Sequence, residues 1–454
     1  MKKNNSFLLF TLFAETALVL YLVNSNADLN TLAVGALVVT ALSLVSLLKS
    51  GYHWFSLPTV FLFFTYVFHC TQFLFNIFVE EYDKYFDIVG LTGDKTSIQI
   101  LNFSIVAILF LTYGFVLASN AKIETFSTAR NNNYNYGRCG KTLLWLCFLP
   151  RVIIDITFYV VGYANSDFVD IPGFVRIWAE GFYVGIALIL IGYKHRPDYC
   201  KKVFIFATIY VLFTMLSGRR QIALTYWIML ALIYFRYVYV SSKKYTLTTK
   251  LMYAFLAFLG IVFIATIGDT RNHASSFGEV FSSNMSLMVV ADQIGEFGGT
   301  GVSLGYAIES FPSQHDFNYG LTYLESLVML LPNFGGWLDE INRGTDYIYM
   351  LPSDTQLALG GSYLGELYYN FGTYGKYFTL IIGYLLGLLT RVMDRGIKYR
   401  MNFWVIISIL AISPTLLWVR GVFSYFVRTC VYLGVLIYII LKNQRNNVRT
   451  IHKV

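Results

Sequence analysis

Arginine is unevenly placed along this chain, and the positions it takes suggest chemistry on an anion. Arg219 and Arg220 are adjacent in LSGRRQ, and Arg420 and Arg428 lie in LLWVRGVFSYFVRTCVYL. Arg271 sits in GDTRNH, Arg343 in DEINRGTD, and Arg176 one helical turn before Glu180. A guanidinium stays charged and offers a planar fork of donors suited to phosphate, whereas lysine offers a point charge. Two adjacent arginines repel unless they share an anion. Arg428 lies about 12 Å along a helix from Arg420. That depth costs roughly 2.5–3.5 kcal/mol in lipid unless the charge is paired or faces water. The plainer readings are headgroup contact for Arg219 and Arg220 and a structural ion pair for Arg428. Arg151 and Asp155, one turn apart, read as a structural pair; Arg176, nearer the surface, stays a ligand candidate beside Glu180.

Acid–base groups concentrate in the stretch 268–372, which holds Asp269, His273, Glu296, His315, Asp346, Asp354 and Glu366. Glu366, in GGSYLGELYYNFG, enters among tyrosines and phenylalanines, and His273 and His315 are the histidines on that side of the membrane. These three are the candidate proton acceptors. The chain contains no P-loop, GxSxG, HExxH or EF-hand pattern, and no Asp-x-Asp to hold a divalent metal and a nucleotide sugar. Cys70, Cys139, Cys147, Cys200 and Cys430 are scattered without metal or disulfide spacing. No metal and no cofactor is expected.

The elements that must position these groups are membrane helices. Of 454 residues, 56% are hydrophobic and 13% charged, against about 25% charged in soluble domains. Apolar segments long enough to cross about 30 Å of hydrocarbon fall at roughly 7–23, 31–48, 54–79, 98–118, 142–164 and 174–193. Others lie at 202–216, 221–240 and 251–267, then at 373–390, 402–419 and 422–441. The spacing predicts an all-α, polytopic transmembrane bundle of about 12 spans. The apolar N-terminus has no small-x-small cleavage site and reads as a signal-anchor first helix. The +8 net charge lies in short blocks on alternate loops, which places both termini in the cytoplasm and argues against a nucleic-acid partner. Residues 1–267 and 373–454 are then the bundle, ending in a short basic cytoplasmic tail. The stretch 268–372 between them is too long to be structureless, and it reads as an extracytoplasmic, partly re-entrant platform containing short helices.

Arginines, carboxylates and aromatic side chains on one outer face suit an anionic lipid carrying sugar. The arginines would hold a diphosphate and stabilise charge growing on it as a leaving group, and Glu366 or a histidine would take a proton from an acceptor hydroxyl. LSGRRQIAL, GGSYLGELYYNFGTYGK and VRGVFSYFVRTCVYL resemble segments of the bacterial repeat-unit polymerases of the O-antigen and capsule type, the Wzy family. The hydropathy layout with one large late outer loop resembles that family along nearly the whole chain. The resemblance implies a metal-independent glycosyltransferase of the GT-C-like class in the bacterial cytoplasmic membrane. Its substrate would be an undecaprenyl-diphosphate-linked oligosaccharide, and Arg219 or Arg220, Arg420 and Arg428 fall where such polymerases place functional arginines. It also implies a chain-length-regulating co-polymerase and a flippase as partners.

Two other classes fit part of the pattern. A flippase or transporter would spread charge along a path through the bilayer and often repeat its halves, whereas here the charges gather toward one face. An O-antigen ligase shares the substrate chemistry and leans on a loop histidine.

Overall fold

Lipid offers no water to backbone N–H and C=O groups, so apolar runs of this length must close their hydrogen bonds internally as helices. A computed structural model describes residues 5–78, 88–121, 135–161, 171–216, 220–239, 287–331, 333, 336–351, 360–399 and 402–451. Among these residues there are helices and turns and no strand. In chain order the helices begin with α1 (Asn5–Asn24), α2 (Leu29–Lys49), α3 (Leu57–His69), α4 (Thr71–Phe78) and α5 (Ile88–Asn120). Next come α6 (Tyr136–Val161), α7 (Gly173–Gly192), α8 (Pro197–Leu216) and α9 (Arg220–Ile233). The late part holds α10 (Leu287–Ser310), α11 (Leu321–Val328), α12 (Asp339–Gly344), α13 (Tyr363–Phe371), α14 (Gly375–Tyr399), α15 (Asn402–Trp418) and α16 (Phe423–Ile451).

Eight helices among the described residues are long and apolar enough to cross a membrane, or nine if the bent pair α3–α4 is one span. The chain is an all-α, polytopic helical protein. Helices α8 and α15 are not among those eight, and the expected span 251–267 lies outside the described residues.

Two elements differ from the hydropathy reading. The expected span 54–79 is broken into α3 and α4 with a 52° bend. At the break the His69 ring bonds the Thr65 carbonyl and the Thr71 hydroxyl bonds the Val67 carbonyl. Side chains that take up helix carbonyls in this way bend the helix. The second difference is α10, a helix of 24 residues inside the expected platform. Its glycines hide it from a hydropathy scan. A Cβ at Gly298, Gly301 or Gly305 would meet Gln72, Ile88 or Thr92 within 2.6–2.7 Å, so these positions let the neighbouring helices come close.

The chain forms two compact units, each built from discontinuous segments. The first comprises residues 1–129, 294–404 and 414–428, and the second 130–293, 405–413 and 429–454. Each unit has a helix crossing at glycine, where backbone meets backbone. In the first, a Cβ at Gly114 of α5 would strike the Leu380 carbonyl of α14, and one at Gly383 would strike the Leu111 carbonyl. In the second, Gly140 of α6 and Gly185 of α7 face each other's backbone in the same manner. Small residues at such crossings replace a hydrophobic driving force that lipid does not supply.

The core of the second unit holds the expected ion pair. Arg151 Nε and Nη2 donate to Asp155 at 2.8 and 2.7 Å, with both side chains fully buried. Tyr210 and Thr214 each donate a hydroxyl to the same carboxylate at 3.0 Å, and the guanidinium lies 5.1 Å from the Tyr183 ring centre. Tyr183 stacks on Tyr226 at 4.7 Å, and the Tyr226 hydroxyl donates to Glu180 at 2.6 Å.

The α5–α14 crossing cannot yield, because its obstacles are backbone atoms. Gly383→Val is expected to cost about 1–3 kcal/mol or more by overpacking. The check is the melting temperature of the purified protein in detergent; an unchanged melting temperature would contradict the crossing.

Candidate functional site

The site is organised by the short sequence GGSYLGE. Ser362 is an N-cap: its hydroxyl accepts the Gly365 N–H at 3.1 Å and so starts α13. The same hydroxyl lies 2.7 Å from His69 Nε2. His69 Nδ1 is 2.9 Å from the Thr65 carbonyl, which can only accept. The proton therefore sits on Nδ1, and Nε2 accepts the Ser362 O–H. Ser303 of α10 donates to the Gly360 carbonyl at 2.6 Å, and Thr65 and the Tyr363 hydroxyl lie 2.9 Å apart. Four bonds thus fix the entry to a nine-residue helix, which without tertiary partners would be marginal.

Glu366 lies in the first turn of α13 with no exposed surface. Its Oε2 accepts Trp418 Nε1 at 2.9 Å and the Phe423 backbone N–H at 3.0 Å, and its Oε1 accepts the Thr322 hydroxyl at 3.2 Å. Trp418 ends α15 and Phe423 opens α16, so one carboxylate holds both ends of the turn that contains Arg420. The turn also needs both glycines of GGS. A Cβ on Gly360 would sit 3.0 Å from Arg420 Nε, and one on Gly361 would sit 3.0–3.1 Å from the Gly421 backbone. Arg420 and Arg428 are both half-buried. Arg428 Nε points back along α16 to the Ser424 carbonyl at 3.4 Å.

Behind α13, Asn370 accepts the Gly320 N–H at 2.9 Å and donates to Thr322 at 2.8 Å, which locks α11 against α13. A Cβ at Gly365 would collide with the Tyr347 hydroxyl. Gly372, at φ 58°, ends α13 in a conformation that favours glycine and turns the chain toward α14. Burial holds the carboxyls of Asp346 and Glu325 above their ordinary range, against a bond from the Ile348 N–H that lowers Asp346. A raised acid binds protons more tightly when folded, so both groups cost the first unit stability as pH climbs above the ordinary carboxylate range.

The other expected site residues divide three ways. Arg343, on α12, and His315, 6.2 Å from the Phe311 ring, are exposed in the first unit. Arg176, over the Phe158 ring at 5.9 Å, and the buried Arg220 belong to the second unit. Arg219, Arg271 and His273 lie outside the described residues. The structure therefore brings Glu366 and the Arg420 turn together. It adds His69, Ser362, Thr322, Asn370 and Trp418, which sequence reasoning did not select. The alternation of Gly, Ser and Glu within GGSYLGE, an N-cap signature before an acidic first turn, was the available signal for Ser362. Among the described residues, no group of three or more His, Cys, Asp or Glu converges as metal ligands would.

A family model described as O-antigen polysaccharide polymerase Wzy matches residues 5–445, nearly the whole chain. No curated protein and no solved structure gives a significant match.

Ser362→Ala would leave His69 Nε2 and the Gly365 N–H without their partner. It is expected to destabilise the protein by about 1–2 kcal/mol, with Ser362→Thr recovering much of the loss. Melting of the three purified proteins in detergent reads this out, and equal stability of S362A and wild type would contradict the cap.

Proposed function

Because the chain belongs to the O-antigen polysaccharide polymerase Wzy family, we propose that it joins oligosaccharide repeat units carried on undecaprenyl diphosphate. The family makes it a glycosyltransferase-type polymerase and a multi-pass membrane protein acting on lipid-linked repeat units. The reaction in this reading takes place on the outer face of the bacterial cytoplasmic membrane, with both termini inside and the platform outside. The observation that carries it is the Arg420 turn, held at both ends by one buried carboxylate and packed against two glycines.

The chemistry follows from that turn. A hydroxyl on the non-reducing sugar of the incoming unit attacks the anomeric carbon of the growing glycan. The bond from that carbon to the diphosphate oxygen breaks, and undecaprenyl diphosphate leaves with the electron pair. Arg420 and Arg428 hold the diphosphate and neutralise the charge it gains, the part a divalent cation plays elsewhere; the scheme is metal-independent. Arg343, Arg271, Arg176, Arg219 and Arg220 are the further anion-binding candidates. The acceptor's proton goes to Glu366, His273 or His315. Of these, His315 is exposed, while the three donors around Glu366 favour a positioning role for that carboxyl group. A chain-length-regulating co-polymerase and a flippase are the partners this activity implies.

Arg420→Lys keeps the charge and removes the planar fork. In cells carrying it, surface glycan is expected to collapse toward a single repeat unit while the protein level holds. The check is a glycan ladder compared with wild type and a deletion strain. Long-chain glycan in the deletion strain would overturn the polymerase reading. Loss of every outer-face repeat unit in that strain would indicate a flippase, and full-length polymer left on its lipid carrier would indicate a ligase.

A further inference from the structure

The second unit contains a groove that the polymerisation scheme does not use. It encloses about 450 Å³ between α6 and α8. Its floor is Ile186 and Ile189 of α7, which are 0% and 3% exposed. Val203 and Phe206 of α8 form one wall and Trp145 of α6 the other. Phe206 and Trp145 are 48% and 74% exposed, so the groove opens outward along the helices, toward lipid.

One end of this groove is cationic. Lys141 and Lys202 line it in the early turns of α6 and α8, with Tyr199 between them in sequence. Both helices start at this end, so their positive dipole ends face the same way as the two ammonium groups. Lys141 Nζ lies 4.9 Å from the Tyr193 ring centre and 5.9 Å from that of Tyr199. Among the described residues its contacts are therefore aromatic faces rather than a carboxylate. Among the described residues Lys202 has no ion pair either, and Asp198, one turn before it, forms none. Two cations thus stand at the head of an apolar trough with no counter-anion among the described residues. Lys194, Arg196 and Lys201 lie in the same loop and helix start and add to the positive field.

We propose that this groove binds an anionic phospholipid. The phosphate sits between Lys141 and Lys202, and an acyl chain runs along Ile189, Ile186, Val203 and Phe206. Trp145 and Tyr199 occupy the boundary between headgroup and chain, where amphipathic rings are favoured. Basic pockets between membrane helices on the cytoplasmic side recognise anionic headgroups, and the loop charge places this end in the cytoplasmic leaflet. The site differs from the Arg420 turn in ligand and in residues. It does not rest on the polymerase reading.

The test uses the purified full-length protein and native mass spectrometry, with phosphatidylglycerol and phosphatidylcholine of matched chains supplied in equal amounts. Wild type is expected to retain phosphatidylglycerol roughly tenfold better. K141Q/K202Q is expected to lose that preference. Val203→Trp, which fills the trough and keeps both charges, is expected to lose the adduct. K141Q and K202Q singly are each expected to lose part of the preference, and they keep the test decisive if the double variant does not accumulate. Equal retention of the two lipids by wild type would overturn the proposal. So would a preference that survives K141Q/K202Q, or that survives Val203→Trp.

Discussion

The first unit depends on one carboxylate. Glu366 accepts from the Trp418 indole, the Phe423 backbone and the Thr322 hydroxyl with no exposed surface of its own. A buried carboxyl group is tolerated only when its polar atoms are met, and here the donors come from two separated parts of the chain, α11 and the turn between α15 and α16. Satisfying the carboxylate therefore fixes where α11, α13 and the turn between α15 and α16 lie. Arg420 is carried on that turn. Its approach to Gly360, and that of Gly421 to Gly361, is possible because neither partner has a Cβ.

Behind this lies the constraint that lipid imposes. Helices in a bilayer gain little by hiding apolar surface from one another, so their association rests on close packing and on polar bonds. Gly114 with Gly383, and Gly140 with Gly185, supply the first in each unit. The buried bonds of His69 with Ser362, and of Arg151 with Asp155, supply the second. The Arg151–Asp155 pair is a charge pair met inside the core. Both guanidinium bonds to the carboxylate are internal, and the hydroxyls of Tyr210 and Thr214 meet its remaining lone pairs.

The sequence made the helical class legible because a run of twenty apolar residues has few alternatives. The i,i+4 spacing of Arg151 and Asp155 likewise identified an ion pair that the structure contains. It did not reveal α10, whose Gly298, Gly301 and Gly305 lower its hydropathy while serving its packing. The bend between α3 and α4 was also hidden, since it arises where side chains take up the Thr65 and Val67 carbonyls. At the site, Arg420 and Glu366 stood out as charges in apolar surroundings. His69 and Thr322 did not, because their roles come from partners almost 300 and more than 40 residues away in sequence. Long-range pairing of uncharged polar groups leaves no local pattern to read.

In the proposed scheme Glu366 acts by accepting hydrogen bonds that hold the Arg420 turn. A glutamine can do much the same, with its oxygen toward Trp418 and Phe423 and its amide toward Thr322, but it cannot take a proton from a sugar hydroxyl. An alanine removes every acceptor. The most direct measurement is elongation of a lipid-linked repeat unit by purified wild type, E366Q and E366A in lipid nanodiscs, read as product ladders on a gel. E366Q is expected to retain most of the elongation, within about tenfold of wild type, whereas E366A is expected to lose it. Loss of elongation in E366Q with unchanged stability would contradict it and make Glu366 the proton acceptor.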